Sequence, residues 1–128
     1  MENTTTQAPL VHEICPTTTQ GWIARGAWLV DVREPNEVAE LAFDAPHLLH
    51  IPLSEFEERY TEIPTDVPVV MVCRVGERSL RAAGFLVNHG YKHVVNMKMG
   101  LVRWVQKGFP TKGDTAGFDT NAAASCCS

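Results

Sequence analysis

Cys73 opens the run Cys73-Arg74-Val75-Gly76-Glu77-Arg78-Ser79, which sets a nucleophile ahead of two arginines, a glycine and a hydroxyl. A thiolate rather than a thiol is the attacking species, and a free thiol pKa of about 8.5 leaves little of it at neutral pH. A reactive cysteine therefore needs nearby positive charge or hydrogen-bond donors. Arg74 and Arg78, with Arg81 a turn later, supply charge that Glu77 partly offsets. Gly76 can take backbone angles closed to other residues, so successive N–H groups can turn inward and cradle an anion. The alternative is a buried, inert cysteine of the kind common in cores. The electropositive, glycine-bearing surroundings favour the reactive reading.

The flanking sequence shows what must position this loop. Val69-Val70-Met71-Val72 is a short apolar, β-branched run that suits a strand buried on both faces. After the loop, Leu80, Ala83, Leu86 and Val87 recur at helical spacing, and Gly90 stands where a helix would stop. The expected unit is strand, tight loop, helix. It sets Cys73 at the carboxyl end of the strand, where open α/β sheets bind ligands, and beside a helix N-terminus, which favours an anion.

The remaining chain alternates short strands and helices. Strands are expected over Leu10–Ile14, Trp28–Val32, Leu48–Ile51 and His93–Asn96. A helix capped by Thr17, Thr18 or Thr19 runs to about Arg25, and Pro35 opens another over Asn36 to about Leu41, with Glu34 and Glu37 favouring its N-terminal end. Ser54 and Glu57 have the spacing of a capping box for a helix through about Tyr60, and Leu101–Lys107 is a last short helix. Segments 42–47 and 63–68 read as loops, residues 1–9 as a disordered arm, 10–110 as one domain, and 111–128 as a flexible tail. This alternation implies an α/β domain, a small and mostly parallel sheet of about five strands with helices on both faces.

Composition narrows the function. A chain of 128 residues with net charge −4 and no basic run gives no support for nucleic-acid binding. No apolar stretch approaches a membrane span, and the polar start MENTTTQAPL lacks the features of a signal peptide, so a reducing cytoplasm is the expected location. Cysteines at 15, 73, 126 and 127 do not form a disulfide framework. His12, His47, His50, His89 and His93 are scattered, and no metal is expected. Cys126 and Cys127 are either incidental thiols or partners that reach Cys73 from the tail.

Four segments, in this order, resemble a single-domain rhodanese from about Leu10 to Pro110. Leu29-Val30-Asp31-Val32-Arg33-Glu34-Pro35-Asn36-Glu37 resembles the family's LIDVREPEE stretch, and His50-Ile51-Pro52-Leu53 its NIPL segment. The Cys73–Ser79 run resembles the active-site loop in its CRxGxRS form, and Asn96–Trp104 followed by Gly108-Phe109-Pro110 resembles the closing segment. Two departures stand out: Phe43–Leu49 replaces the usual GHIPGA segment, and Met99 replaces the first glycine of a Gly-Gly pair. Met97, Met99 and Leu101 are then either an apolar wall at the pocket rim or ordinary packing.

The resemblance implies a sulfurtransferase without a cofactor. Cys73 takes a sulfane sulfur from thiosulfate or a similar small anionic donor as a persulfide, then hands it to cyanide or a thiol, including a protein thiol. It implies that the N–H groups of Arg74, Val75, Gly76, Glu77, Arg78 and Ser79 hold the outer sulfur, and that Arg74 and Arg78 bind the donor's sulfonate. Asp31 and Arg33 are expected as supports below the loop, against an ordinary strand-end turn. Glu77 either discourages doubly anionic donors or is a solvated loop charge. Two other readings remain: a persulfide carrier in a protein relay, and a cysteine phosphatase or arsenate reductase. The latter expects five residues between cysteine and arginine, where Cys73 and Arg78 have four.

Overall fold

The computed structural model of the chain describes residues 10–118; the expected arm at 1–9 and Cys126 and Cys127 lie outside them. Five parallel strands form the main sheet: β1 (His12–Ile14), β2 (Trp28–Asp31), β4 (Leu48–His50), β5 (Val69–Val72) and β6 (Val94–Met97). Their spatial order is β1-β6-β5-β2-β4, which puts β5 at the centre, as its unbroken apolar run requires. The chain leaves β2 toward β4 on one side and returns to β5 on the other. The gap beyond the carboxyl ends of β2 and β5 is thus where helices diverge and a ligand site opens.

Side-chain alternation along the central strands divides the core in two. Val69 and Met71 pack with Phe56, Ala82, Ala83 and Leu86, from α3 (Phe56–Arg59) and α4 (Glu77–Asn88). Val70 and Val72 pack on the opposite face with Leu101, Trp104 and Val105 of α5 (Gly100–Gln106), while α1 (Pro16–Ala24) adds Trp22 and Ile23. Helices thus cover both faces, as the alternation of elements predicts. Met97 and Leu101 are fully buried in the second cluster, so of the three residues considered for a pocket wall, only Met99 is exposed.

Four local expectations are corrected. The first helix starts at Pro16 with Cys15 as its cap residue, and the Thr19 hydroxyl donates back to the Cys15 carbonyl instead of capping the N-terminus. Ser54 does not cap its helix: its hydroxyl donates to Glu34 Oε1 at 2.9 Å, and the segment breaks into two 3₁₀ turns around the single turn of α3. Instead the capping box belongs to Glu34 and Glu37, at the start of α2 (Pro35–Glu40). The third and fourth concern the expected loop at 42–47 and the expected tail. Leu41–Phe43 (β3) pairs antiparallel with Thr111–Gly113 (β7), so the ordered chain continues beyond Pro110. The Trp104 indole N–H fixes this turn by donating to the Pro110 carbonyl at 2.7 Å. No helix of the described residues is long and apolar enough to cross a membrane.

Candidate active site

Cys73 follows directly on β5 and is fully buried. Three donors converge on its sulfur: the Gly76 N–H at 3.1 Å, the Ser79 N–H at 3.3 Å and the Ser79 hydroxyl at 3.3 Å. Gly76 makes this possible. Its φ of 97° turns the chain back over the sulfur and starts α4 at Glu77, aiming the helix's first N–H groups inward. A Cβ there would also press on the backbone of Met97 and Met99. The result is a bowl in which negative charge on sulfur meets hydrogen-bond donors. Of the six N–H groups expected to turn inward, those of Gly76 and Ser79 reach the thiol sulfur.

Neighbouring elements hold the loop from below. Asn96, buried on β6, donates from Nδ2 to the Gly76 carbonyl at 3.0 Å and to Glu13 at 2.9 Å. The first N–H groups of α5 cap the loop's own carbonyls: Leu101 donates to Cys73 and Val102 to Arg74, at 2.9 and 3.1 Å. This approach requires Gly100, where a Cβ would stand 2.4 Å from the Arg74 carbonyl oxygen. Gly100 is the retained glycine of the pair. Its neighbour Met99 sits at φ 68°, a left-handed conformation that costs a non-glycine residue about 1–2 kcal/mol.

Asp31 and Arg33 lie buried at the carboxyl end of β2, next to β5. Asp31 accepts from the Arg33 backbone N–H at 3.0 Å and from its guanidinium at 2.8 Å. Arg33 also donates to the Leu41 carbonyl at 2.9 Å and, over 3.4 Å, to that of Glu37. His50 packs from β4 with a ring nitrogen 2.7 Å from the Arg33 carbonyl, a contact that requires an N–H there. The supporting ion pair is therefore internal to Asp31 and Arg33. Through Arg33 it ties α2 and β3 to the end of β2.

The loop arginines are placed differently from the expectation. Arg78 is held in a two-pronged ion pair by Glu37, at 2.8 and 2.9 Å, with both side chains part-buried. The Arg78 hydrogen bonds hold the Glu37 carboxyl down at about 2, against the opposing effect of burial. The same pair raises Arg78, and charge on Cys73 adds to the rise, which places that guanidinium in the field of the sulfur. Arg74 is exposed and stacks its guanidinium 4.5 Å from the centre of the Phe118 ring. Arg81 lines a separate groove with Leu53, Phe56 and Glu57. Val75 and Glu77 are exposed at the loop surface. In the sequence Glu37 stands out for its helix N-terminus and its place in the family-like segment, not as a partner of Arg78; a partner 41 residues away leaves no mark in linear spacing.

A cavity of about 450 Å³ lies at the opposite, amino-terminal ends of β1, β5 and β6, lined by residues including His12, Trp22, Arg25 and Lys92. It contains none of the residues singled out for chemistry. The buried thiol with convergent donors, rather than this cavity, therefore defines the candidate site.

A central parallel sheet with a cysteine in a donor-lined loop at a helix start is the arrangement of a thiolate-based group-transfer domain. Residues 16–107 match the Rhodanese-like domain family, and the chain belongs to that family. It is 39% identical over 82 residues to a sulfurtransferase of Allochromatium vinosum, covering 64% of this chain and 75% of that one. It is 33% identical over 94 residues to the thiosulfate sulfurtransferase GlpE of Pseudomonas syringae, covering 71% and 84%. A rhodanese-related protein of Thermoplasma volcanium superposes with a TM-score of 0.71 at 25% identity, over 80% of this chain and 99% of the other. The chain is thus a rhodanese-type sulfurtransferase at the level of its family.

Proposed function

We propose that Cys73 is the sulfur carrier of a single-domain sulfurtransferase. The thiolate attacks the sulfane sulfur of a small donor, thiosulfate being the one the resemblance implies; the donor's S–S bond breaks, sulfite leaves with the electron pair, and Cys73 becomes a persulfide. Cyanide or a thiol then attacks the outer sulfur, takes it, and releases the Cys73 thiolate. The carrying observation is the convergence of three donors on a buried sulfur. The inward N–H groups that meet the thiolate stand ready for the outer sulfur of the persulfide. Asp31 and Arg33 act at a distance, by holding α2. A free active thiol suits a reducing compartment, such as the cytoplasm. A carrier role in a protein relay uses the same chemistry and differs only in its acceptor. A phosphatase reading has less support, because Glu37 already occupies the arginine that a phosphate would need.

The test is the intact mass of wild type and Cys73→Ser after brief exposure to sulfur donors without reductant. Wild type should gain one sulfur atom, and the folded variant none. A gain that persists in the variant would move the chemistry to Cys15, Cys126 or Cys127. A wild type that never gains sulfur from any donor would overturn the assignment.

A further inference from the structure

The cavity of about 450 Å³ at the amino-terminal ends of β1, β5 and β6 takes no part in the chemistry of Cys73. Its volume falls in the range of small-molecule sites, about 300–1,000 Å³. Trp22, Val94 and Val95 give it an apolar floor: both valines are buried, and Trp22 is half-buried against the second core cluster. Around that floor stand Arg25, Lys92, His12 and His93, all exposed, and no Asp or Glu lines the cavity.

The basic groups here differ from those elsewhere in the protein. Arg33, Arg59 and Arg78 are each tied to a carboxylate. Arg25, Lys92, His12 and His93 make no side-chain hydrogen bond or ion pair with the described residues. Arg25 is the residue that ends α1, where a cation could serve the last carbonyls of the helix. The carbonyls of Trp22 and Ile23 are instead met by the backbone N–H groups of Arg25, Gly26 and Ala27, at 3.0 Å each. The guanidinium is therefore not engaged by the end of its own helix. In a chain with 15 acidic and 11 basic residues, unpaired basic groups gather around a hollow with apolar walls. Such walls concentrate the field of the charges beside them and raise the local concentration of anions.

We propose that this cavity is a second binding site, for a small organic anion that joins a flat aromatic body to a carboxylate or a phosphate. The ring packs on Trp22 and the two valines, where offset stacking on an indole is favourable. The Arg25 fork can meet two oxygens of the anion at once, while the Lys92 ammonium acts as a point charge. Neither half of such a ligand uses the whole site. A bare anion gains only screened attraction from exposed cations, and a neutral ring leaves those cations unanswered. The site lies at the opposite end of the sheet from Cys73, so its occupation involves no sulfur chemistry and does not depend on the sulfurtransferase reading.

The test is a titration of the full chain followed by amide and indole NMR signals at low ionic strength. Naphthoate and naphthyl phosphate are the probes; naphthol and inorganic phosphate supply the ring and the charge separately. The Trp22 indole N–H and the Val94 and Val95 amides should shift and saturate with at least one probe. Its Kd should lie at least about tenfold below those of naphthol and of inorganic phosphate. The tighter of the two probes identifies the anion as carboxylate or phosphate. Arg25→Gln combined with Lys92→Gln should weaken that probe at least about tenfold and leave sulfur loading of Cys73 unchanged. Both residues are exposed, and should the double variant nevertheless fail to fold, Arg25→Gln alone should still weaken the probe severalfold. Four results would each overturn the proposal: no saturable shift at these residues, shifts confined to the Cys73 loop, naphthol bound as tightly as the charged probes, or an affinity unchanged in the folded variant.

Discussion

Ser79→Ala isolates one of the three hydrogen bonds on the Cys73 sulfur. The serine hydroxyl donates over 3.3 Å, and the backbone N–H of the same residue donates independently over 3.3 Å. The substitution therefore removes the hydroxyl while retaining the Ser79 and Gly76 N–H bonds. A hydrogen bond to a charged partner contributes about 1.5–3 kcal/mol. The length of this one and the diffuse charge of sulfur place it at the low end, about 1.5 kcal/mol, and that corresponds to a little over tenfold in rate. No buried polar atom is orphaned, because the oxygen departs and the sulfur keeps two donors. The cost in folding should then stay within about 1 kcal/mol. Rapid mixing with excess donor, acid quench and intact mass give the rate of persulfide formation; urea unfolding gives the stability. A rate within twofold of wild type in a folded variant would show that the hydroxyl does not stabilise the reacting sulfur. A loss beyond about a thousandfold would be as damaging, since it exceeds one hydrogen bond and would make Ser79 a proton-transfer group.

Two further outcomes follow from the ion pairs. Asp31→Ala leaves the buried Arg33 guanidinium with no carboxylate, only the Leu41 and Glu37 carbonyls and the Phe43 ring among the partners shown, and should cost about 3–5 kcal/mol, read as a lower urea midpoint. Asp31→Leu combined with Arg33→Met should recover most of that loss; a single-variant cost under about 1 kcal/mol would refute the buried pair. Glu37 has its folded pKa lowered from 4.5 to about 2, so it adds stability above its unfolded value, and that stability is lost as pH falls through the folded one. The advantage of wild type over Glu37→Gln should be of order 1–2 kcal/mol at pH 7, screened by partial exposure, and should shrink on acidification from the unfolded value downward. A gap that stays constant across that range, in urea titrations at successive pH values, would contradict the Arg78–Glu37 pair as its source.

How far the sequence carried depended on whether the determining signal was local. Val69–Val72 as a central strand, the glycine-bearing loop after Cys73 and the helix ending before Gly90 are each written in neighbouring residues. An apolar run, a residue free of a Cβ and a helical period need no distant partner to be recognised, and the strand–loop–helix unit emerged as expected. Ser54 and Glu57 show the limit even of local signals. Their spacing fits a capping box, yet Glu34 lies close enough in space to take the serine hydroxyl. Thr111–Gly113 has almost no apolar content to announce a strand, and it became one because Leu41–Phe43 offered an edge to pair with.

By itself, then, the sequence determined the central strand, the glycine-bearing loop after Cys73 and the parallel architecture that presents them, because these follow from residue types within a few positions of one another. Tertiary structure alone decided the electrostatics of the site. Whether Arg78 faces a donor or a carboxylate depends on where α2 docks, and α2 is docked by a buried Asp31–Arg33 pair that linear spacing does not reveal. Charges interact through space with a strength set by distance and burial, and both are known only once the chain has folded.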